Sequence, residues 1–211
     1  MSKDWTGNGN SIWKTLGASN HTQKERQSED FYATDDRALE LFTPMFPIHN
    51  KVWECACGDG SLSKWLRNKG YDVLSTDLID RGYGNTGIDF LQVRKDDNAL
   101  NKWANGETFD ILTNPPYKLA VPFIIHALDL IPDDGRVIMF LKTTFLEGKQ
   151  RKKLIYDVNP PRYVYQFSER ILCAKNGDFD YMRAHGGSAV SYIWAVFTKR
   201  NDEKKTEIRW I

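Results

Sequence analysis

The residues whose types and order best suit chemistry are Asn114-Pro115-Pro116-Tyr117, an amide, two prolines and an aromatic ring in a row. Consecutive prolines hold φ near −65° and remove two N–H donors, and the residue before a proline is pushed out of the helical region. The tetrapeptide is therefore a stiff, extended loop whose carbonyls are free to accept. It suits the holding of a planar, weakly nucleophilic amino group with a delocalised lone pair, as on adenine or on a carboxamide. The side-chain oxygen of Asn114 and the carbonyl of Pro115 could each accept one of its hydrogens, favouring a pyramidal nitrogen aimed at an electrophile. Tyr117 would stack on the flat substrate. This is positioning and electrostatics, and it needs no tuned base. Asn-Pro also makes ordinary turns, so the tetrapeptide alone leaves that plainer reading open.

The surrounding pattern positions the loop. Phe109 to Thr113 reads as a buried strand, and Leu119, Phe123, Ala127, Leu128 and Ile131 fall on one face of a following helix. In an open α/β sheet, ligands sit at that carboxyl end. A second strand-turn-helix unit lies upstream: Val52 to Ala56, then Cys57-Gly58-Asp59-Gly60, then a helix from Ser61 to Lys69 with Leu62, Trp65 and Leu66 inward. The turn is shorter than G-x-G-x-x-G and lacks the lysine of a phosphate-cradling loop. Gly58 and Gly60 would let a ligand with little or no phosphate lie against bare backbone. Asp72 to Thr76 reads as the next strand and ends at Asp77, where a carboxylate usually holds a ribose diol.

A chain of 211 residues, 41% hydrophobic and 13% aromatic, suits one sizeable core. Its net charge of only +1 means that any nucleic-acid partner must be met by a local basic patch. Cys55, Cys57 and Cys173 show neither C-x-x-C nor zinc spacing, which points to reduced thiols, no metal and a cytoplasmic setting. No segment approaches a membrane span, and the amino terminus has no signal-peptide core.

Residues 1–27 read as a flexible polar arm carrying Trp5 and Trp13, residues 28–198 as the main domain, and residues 199–211 as a charged extension that could add a short edge strand. Thr34 or Asp35 suits the N-cap of a short helix closed by Pro44 and Pro47. Lys149-Gln150-Arg151-Lys152-Lys153 would attract phosphates, and equally suits the solvated face of a helix. Residues 173–187 read as a long loop suited to recognition, with His185 either a base contact or a surface residue. Ala189 to Thr198 reads as a strand buried on both faces.

Glu54-Cys55-Ala56-Cys57-Gly58-Asp59-Gly60, then Asp77, then Asp89-Phe90, then Asn114-Pro115-Pro116-Tyr117, in that order, resembles the S-adenosylmethionine-dependent amino methyltransferases. It is most similar to the small solitary N6-adenine DNA methyltransferases of phages and prophages, from about Asp30 to Phe197. The resemblance implies a Rossmann-like class I α/β fold: a seven-stranded, mostly parallel sheet with helices on both faces and an antiparallel last strand. It implies S-adenosylmethionine as cofactor. Tyr32 and Thr34 would cover the methionine end, and Glu54, Ala56, Cys57, Gly58 and Gly60 would form the turn. Asp77 with Leu78 would meet the ribose, and Asp89 with Phe90 the adenine. Asn114 would face the cofactor as well as the substrate.

By the same resemblance, Asn114, Pro115, Pro116 and Tyr117 would act on an adenine flipped out of DNA. Phe145 would form the opposite wall, and Lys149, Arg151, Lys152 and Lys153 would meet phosphates. No metal and no membrane enter, the setting is a bacterial or phage-infected cell, and the oligomeric state is left open. Cys57 in the turn and Asn rather than Asp at position 114 depart from the commonest pattern. RNA adenine or guanine amines are therefore an alternative substrate. So is a protein glutamine, although the relatives of that type add an amino-terminal helical domain that 30 polar residues do not supply.

Overall fold

The computed structural model describes residues 32–175, 179–184 and 190–211. The expected amino-terminal arm with Trp5 and Trp13, together with Asp30, Phe31 and the loop residues His185, Gly186 and Gly187, lie outside the described residues.

In chain order, β1 (Tyr32–Thr34) leads to α1 (Arg37–Phe42), whose first N–H donates to Asp35 Oδ1 at 3.0 Å. β2 (Lys51–Glu54) feeds a glycine turn and α2 (Ser61–Asn68), with Leu62, Trp65 and Leu66 buried on one face. β3 (Asp72–Ser75) follows. α3 (Asn98–Ala104) is capped by Asp97, whose side chain accepts from the Leu100 N–H at 2.9 Å. β4 (Phe109–Thr113), α4 (Ala120–Leu130) and β5 (Arg136–Lys142) form the next unit. α5 (Lys149–Arg151) continues as a π-helical turn over Lys152–Tyr156. Then come β6 (Tyr163–Gln166), β7 (Cys173–Lys175), α6 (Phe179–Ala184), β8 (Tyr192–Thr198) and β9 (Glu207–Trp210).

Seven strands form one sheet in the order β3-β2-β4-β5-β8-β6-β9. β8 runs antiparallel to both its neighbours and the other strands are mutually parallel. The antiparallel strand is thus the next to last. The extension after residue 198 returns as β9, parallel to β6, and completes the seven. Asp89 precedes a single 3-10 turn, Phe90–Gln92. β1 and β7 make a separate antiparallel ribbon with Thr34 opposite Cys173. The expected long loop over residues 173–187 therefore contains a strand and, in α6, a short helix. A three-residue strand whose partner lies some 140 residues upstream leaves no local periodicity to read.

Alternate strand residues enter two clusters, as the pleat requires. Val52, Leu112, Ile138, Phe140, Trp194 and Val196 pack with Leu39 and Phe42 of α1 and Leu62 and Leu66 of α2. Trp53, Ile111, Val137, Met139, Ile193 and Ala195 pack with Leu100 of α3 and Phe123, Ile124 and Ala127 of α4. The inner face of α4 begins at Ala120, while Leu119 is 42% exposed. Leu119 belongs to the 3-10 turn Tyr117–Leu119 ahead of the helix, while Phe123, Ala127 and Ile131 of the expected face are buried. At the opposite, amino-terminal edge, buried Asp110 accepts from the His49 N–H (2.8 Å), the Arg136 N–H (2.9 Å) and Arg136 Nε (3.1 Å). That network ties β4 to β5 at the edge opposite Asn114.

Candidate active site

β4 delivers Asn114 at the carboxyl edge of the sheet. Pro115 is buried and Pro116 exposed, and the Pro116 carbonyl closes the 3-10 turn by accepting from the Leu119 N–H at 2.7 Å. The Asn114 amide is anchored from one end. Its Nδ2 donates to Thr34 Oγ1 (3.0 Å), the Tyr32 carbonyl (3.2 Å) and Cys173 Sγ (3.5 Å). These acceptors assign the amide, so Oδ1 faces away from the ribbon. The Tyr117 hydroxyl lies 3.6 Å from the same thiol, and its ring carries the Lys142 ammonium 4.7 Å from the centroid. Burial raises the pKa of both the Tyr117 phenol and the Cys173 thiol, so both stay protonated near neutral pH. This corner can orient a nucleophile between a neutral phenol and thiol, with the Lys142 ammonium as the nearby charge.

The glycine turn leaves β2, the strand beside β4, with Trp53 paired to Ile111. Asp77 locks it from the tip of β3: Oδ2 accepts from the Gly58 N–H at 2.7 Å and Oδ1 from the Ile79 N–H at 2.8 Å. Leu78, beside it, is 57% exposed. Ala56 is half-buried against the α4 side. Gly60 has φ +81°, and a Cβ there would lie 2.2 Å from the Tyr83 ring. The close approach at Gly60 is thus made by Tyr83, which also carries Lys64 5.0 Å from its centroid. Cys57 is explained by the same loop. Its Sγ packs against Gly84, where a Cβ would come within 2.8 Å of the sulfur, and it donates to the Tyr83 carbonyl at 3.8 Å.

The carboxyl of Glu54 turns inward. It is buried, accepts from the Ser63 hydroxyl, and Ser63 in turn meets Ser75 at 2.6 Å. Burial raises its pKa from 4.5 to about 8. The folded state therefore keeps a proton that the unfolded chain loses, and this contribution is full below about pH 4.5 and lost as the pH rises through about 8. Glu54→Gln, with no proton to lose, should show a flatter dependence of thermal midpoint on pH. Its advantage over the wild type should grow toward pH 9, reaching on the order of a few kcal/mol. Parallel curves for the two proteins would contradict the buried neutral carboxyl.

Asp89 is exposed and its Oδ1 accepts from the Leu91 N–H at 3.0 Å. The Phe90 ring lies in the core, 5.3 Å from Trp53 and 4.8 Å from Phe123, so Asp89 and not the ring is what this segment presents outward. Phe145 is likewise in the core, edge-on to Tyr156 and covered by Arg151 at 5.1 Å. The basic run divides in the same way. Arg151 folds back onto the carbonyls of Glu147 (2.6 Å) and Thr144 (3.2 Å), and Lys152 pairs with Asp157 at 2.5 Å. Lys149 and Lys153 are exposed. Lys142 and Cys173 were not singled out by the sequence pattern for this corner. Lys142 had a readable signal, since it ends a strand at the ligand edge. Among the described residues, no cluster of His, Cys, Asp and Glu could hold a metal ion, and no helix is long and apolar enough to cross a membrane.

No family model matches the sequence, and no curated protein does. Solved structures match the fold at low identity. A methyltransferase subunit of a type I restriction-modification system from Streptococcus thermophilus superposes with a TM-score of 0.56 at 12% identity, covering 86% of this chain and 47% of that one. An S-adenosylmethionine-dependent methyltransferase from Anabaena variabilis superposes at 0.54 and 12% identity, covering 90% and 94%. The chain has the Rossmann-like fold of these methyltransferases. A Lactococcus lactis protein assigned as a hemolysin also shares it, at 0.55 and 9% identity over 83% and 91%. The functional argument therefore rests on the site.

Proposed function

We propose that the protein transfers the sulfonium methyl group of S-adenosylmethionine to the N6 amine of an adenine flipped out of DNA. The observation that carries this reading is the oriented amide of Asn114: its Nδ2 is committed to the β1–β7 ribbon, leaving Oδ1 and the Pro115 carbonyl to accept the two amine hydrogens. The cofactor suits the neighbouring turn, where Asp77 has acceptor capacity left for a ribose hydroxyl, and Leu78 and Asp89 stand exposed at the adenine end. S-adenosylmethionine supplies an electrophilic methyl. Held by two acceptors, the amine nitrogen presents its lone pair, the new N–C bond forms as the S–C bond breaks, and the extra proton leaves to water. Tyr117 stacks on the base. Lys142, Lys149 and Lys153 put positive charge on the same edge for the phosphates. The restriction-modification neighbour favours DNA over RNA. The same reading takes the two core clusters as the two faces of a helix-covered sheet.

Asp77→Ala should weaken S-adenosylmethionine binding about 10–100-fold, the loss of hydrogen bonds to a charged acceptor. Calorimetric titration measures this, with the thermal midpoint followed alongside because Asp77 also braces Gly58. Unchanged affinity would remove the ribose role. For the reaction, the protein expressed in a host lacking adenine methylation should bring N6-methyldeoxyadenosine into digests of the genomic DNA. Digests without it from cells holding folded protein would contradict the reading.

A further inference from the structure

We propose that the β1–β7 ribbon is an orienting clamp for the catalytic amide, with Thr34 and Cys173 as positioning residues, and that this clamp selects Asn over Asp at position 114. The proposal rests on the role just given to Asn114. Three acceptors converge on one end of that side chain: Thr34 Oγ1 at 3.0 Å, the Tyr32 carbonyl at 3.2 Å and Cys173 Sγ at 3.5 Å. The Tyr32 carbonyl decides the choice: it can only accept, so it needs an N–H donor, and a carboxylate oxygen in the same place would face its lone pairs. The clamp is itself held in register, since Thr34 pairs with Cys173 across the ribbon and both side chains are buried.

Cys173 does two things at once. Its sulfur accepts from Asn114 and lies 3.6 Å from the Tyr117 hydroxyl, so the amide and the stacking ring are tied to one atom. The thiol donates to the Tyr32 carbonyl at 3.9 Å, which joins the same network to β1. A planar amide that loses these partners can rotate about its terminal bond, and its oxygen then reaches the reacting position only part of the time. The expected consequence is a loss of turnover without a loss of binding.

Thr34→Val keeps the shape and removes the acceptor. It should lower kcat about tenfold, the equivalent of one hydrogen bond, with KM for DNA and the S-adenosylmethionine dissociation constant unchanged, and Thr34→Ser should restore kcat. Asn114→Asp should lose far more. A Thr34→Val protein with wild-type kcat would overturn the clamp. So would one that loses cofactor affinity instead, which would place Thr34 over the methionine end. A second readout needs no turnover: in 15N NMR spectra the Asn114 side-chain NH2, assigned by its absence in Asn114→Ala, should exchange slowly in the wild type and fast in Thr34→Val. Equal exchange rates would refute the clamp. Wild-type protein that fails to methylate DNA but shows the protected NH2 would refute the substrate reading and leave the clamp standing.

Discussion

Asn114→Ala is expected to reduce methyl transfer by a factor of about 10²–10³ or more while leaving S-adenosylmethionine binding nearly intact. The reasoning is geometric. An amine on an aromatic ring is a poor nucleophile because its lone pair is delocalised, and in the proposed reaction the site would contribute by accepting both hydrogens at fixed positions. Removing Oδ1 removes one of those acceptors, and no nearby group replaces it: the Pro116 carbonyl is used in the turn, and the Tyr117 hydroxyl lies against Cys173. The hydrogen bonds of the side chain go to Tyr32, Thr34 and Cys173, outside the glycine turn, so the cofactor half should survive. Single-turnover rates with saturating cofactor measure the first part and calorimetry the second. Preserved turnover would remove Asn114 from the reaction, and joint loss of turnover and cofactor binding would mean that the loop had collapsed.

Gly60→Ala is expected to have the largest effect on the folded state. At φ +81° an alanine is strained by roughly 1–2 kcal/mol, and its Cβ would lie 2.2 Å from the Tyr83 ring, an overpacking that costs typically 1–3 kcal/mol more. The thermal midpoint should fall by on the order of 10 °C. Tyr83 cannot retreat freely, because Gly84 is wedged between Cys57 and the Ser75 carbonyl and the Asn85 carbonyl accepts from the Asp77 N–H at 3.0 Å. Tyr83→Ala in the Gly60→Ala background should therefore recover the overpacking and leave the backbone strain, a coupling of about 1–3 kcal/mol in a double-mutant cycle. Additive effects would mean that the contact does not govern this turn.

The parts of the site legible in the sequence are those built from adjacent residues. The strand, turn and helix around Gly58, the acid at the tip of β3 and the strand leading to Asn114 are each declared by a local hydrophobic period and a breaker, and parallel pairing then brings them to one edge. The parts that were hidden depend on segments far apart in the chain. The Thr34–Cys173 pairing, the anchoring of the Asn114 amide and the covering of Gly60 by Tyr83 have no local period to announce them. Aromatic rings misled for a related reason. Phe90 and Phe145 sit in loops at the ligand edge, where sequence position alone suggests a stacking surface, yet both point into the core, because a ring gains more from full burial than from a half-wet loop. The basic run shows the same limit, since only contact with Glu147, Thr144 and Asp157 distinguishes Arg151 and Lys152 from the exposed Lys149 and Lys153.

The most direct measurement is transfer of label from S-adenosylmethionine to unmethylated duplex DNA, RNA and mixed protein in parallel reactions, with nucleosides and amino acids resolved by mass spectrometry and Asn114→Ala run beside the wild type. The account predicts label in DNA as N6-methyldeoxyadenosine, lost in the variant. Label in RNA or in glutamine, or label in DNA that persists in Asn114→Ala, would contradict it.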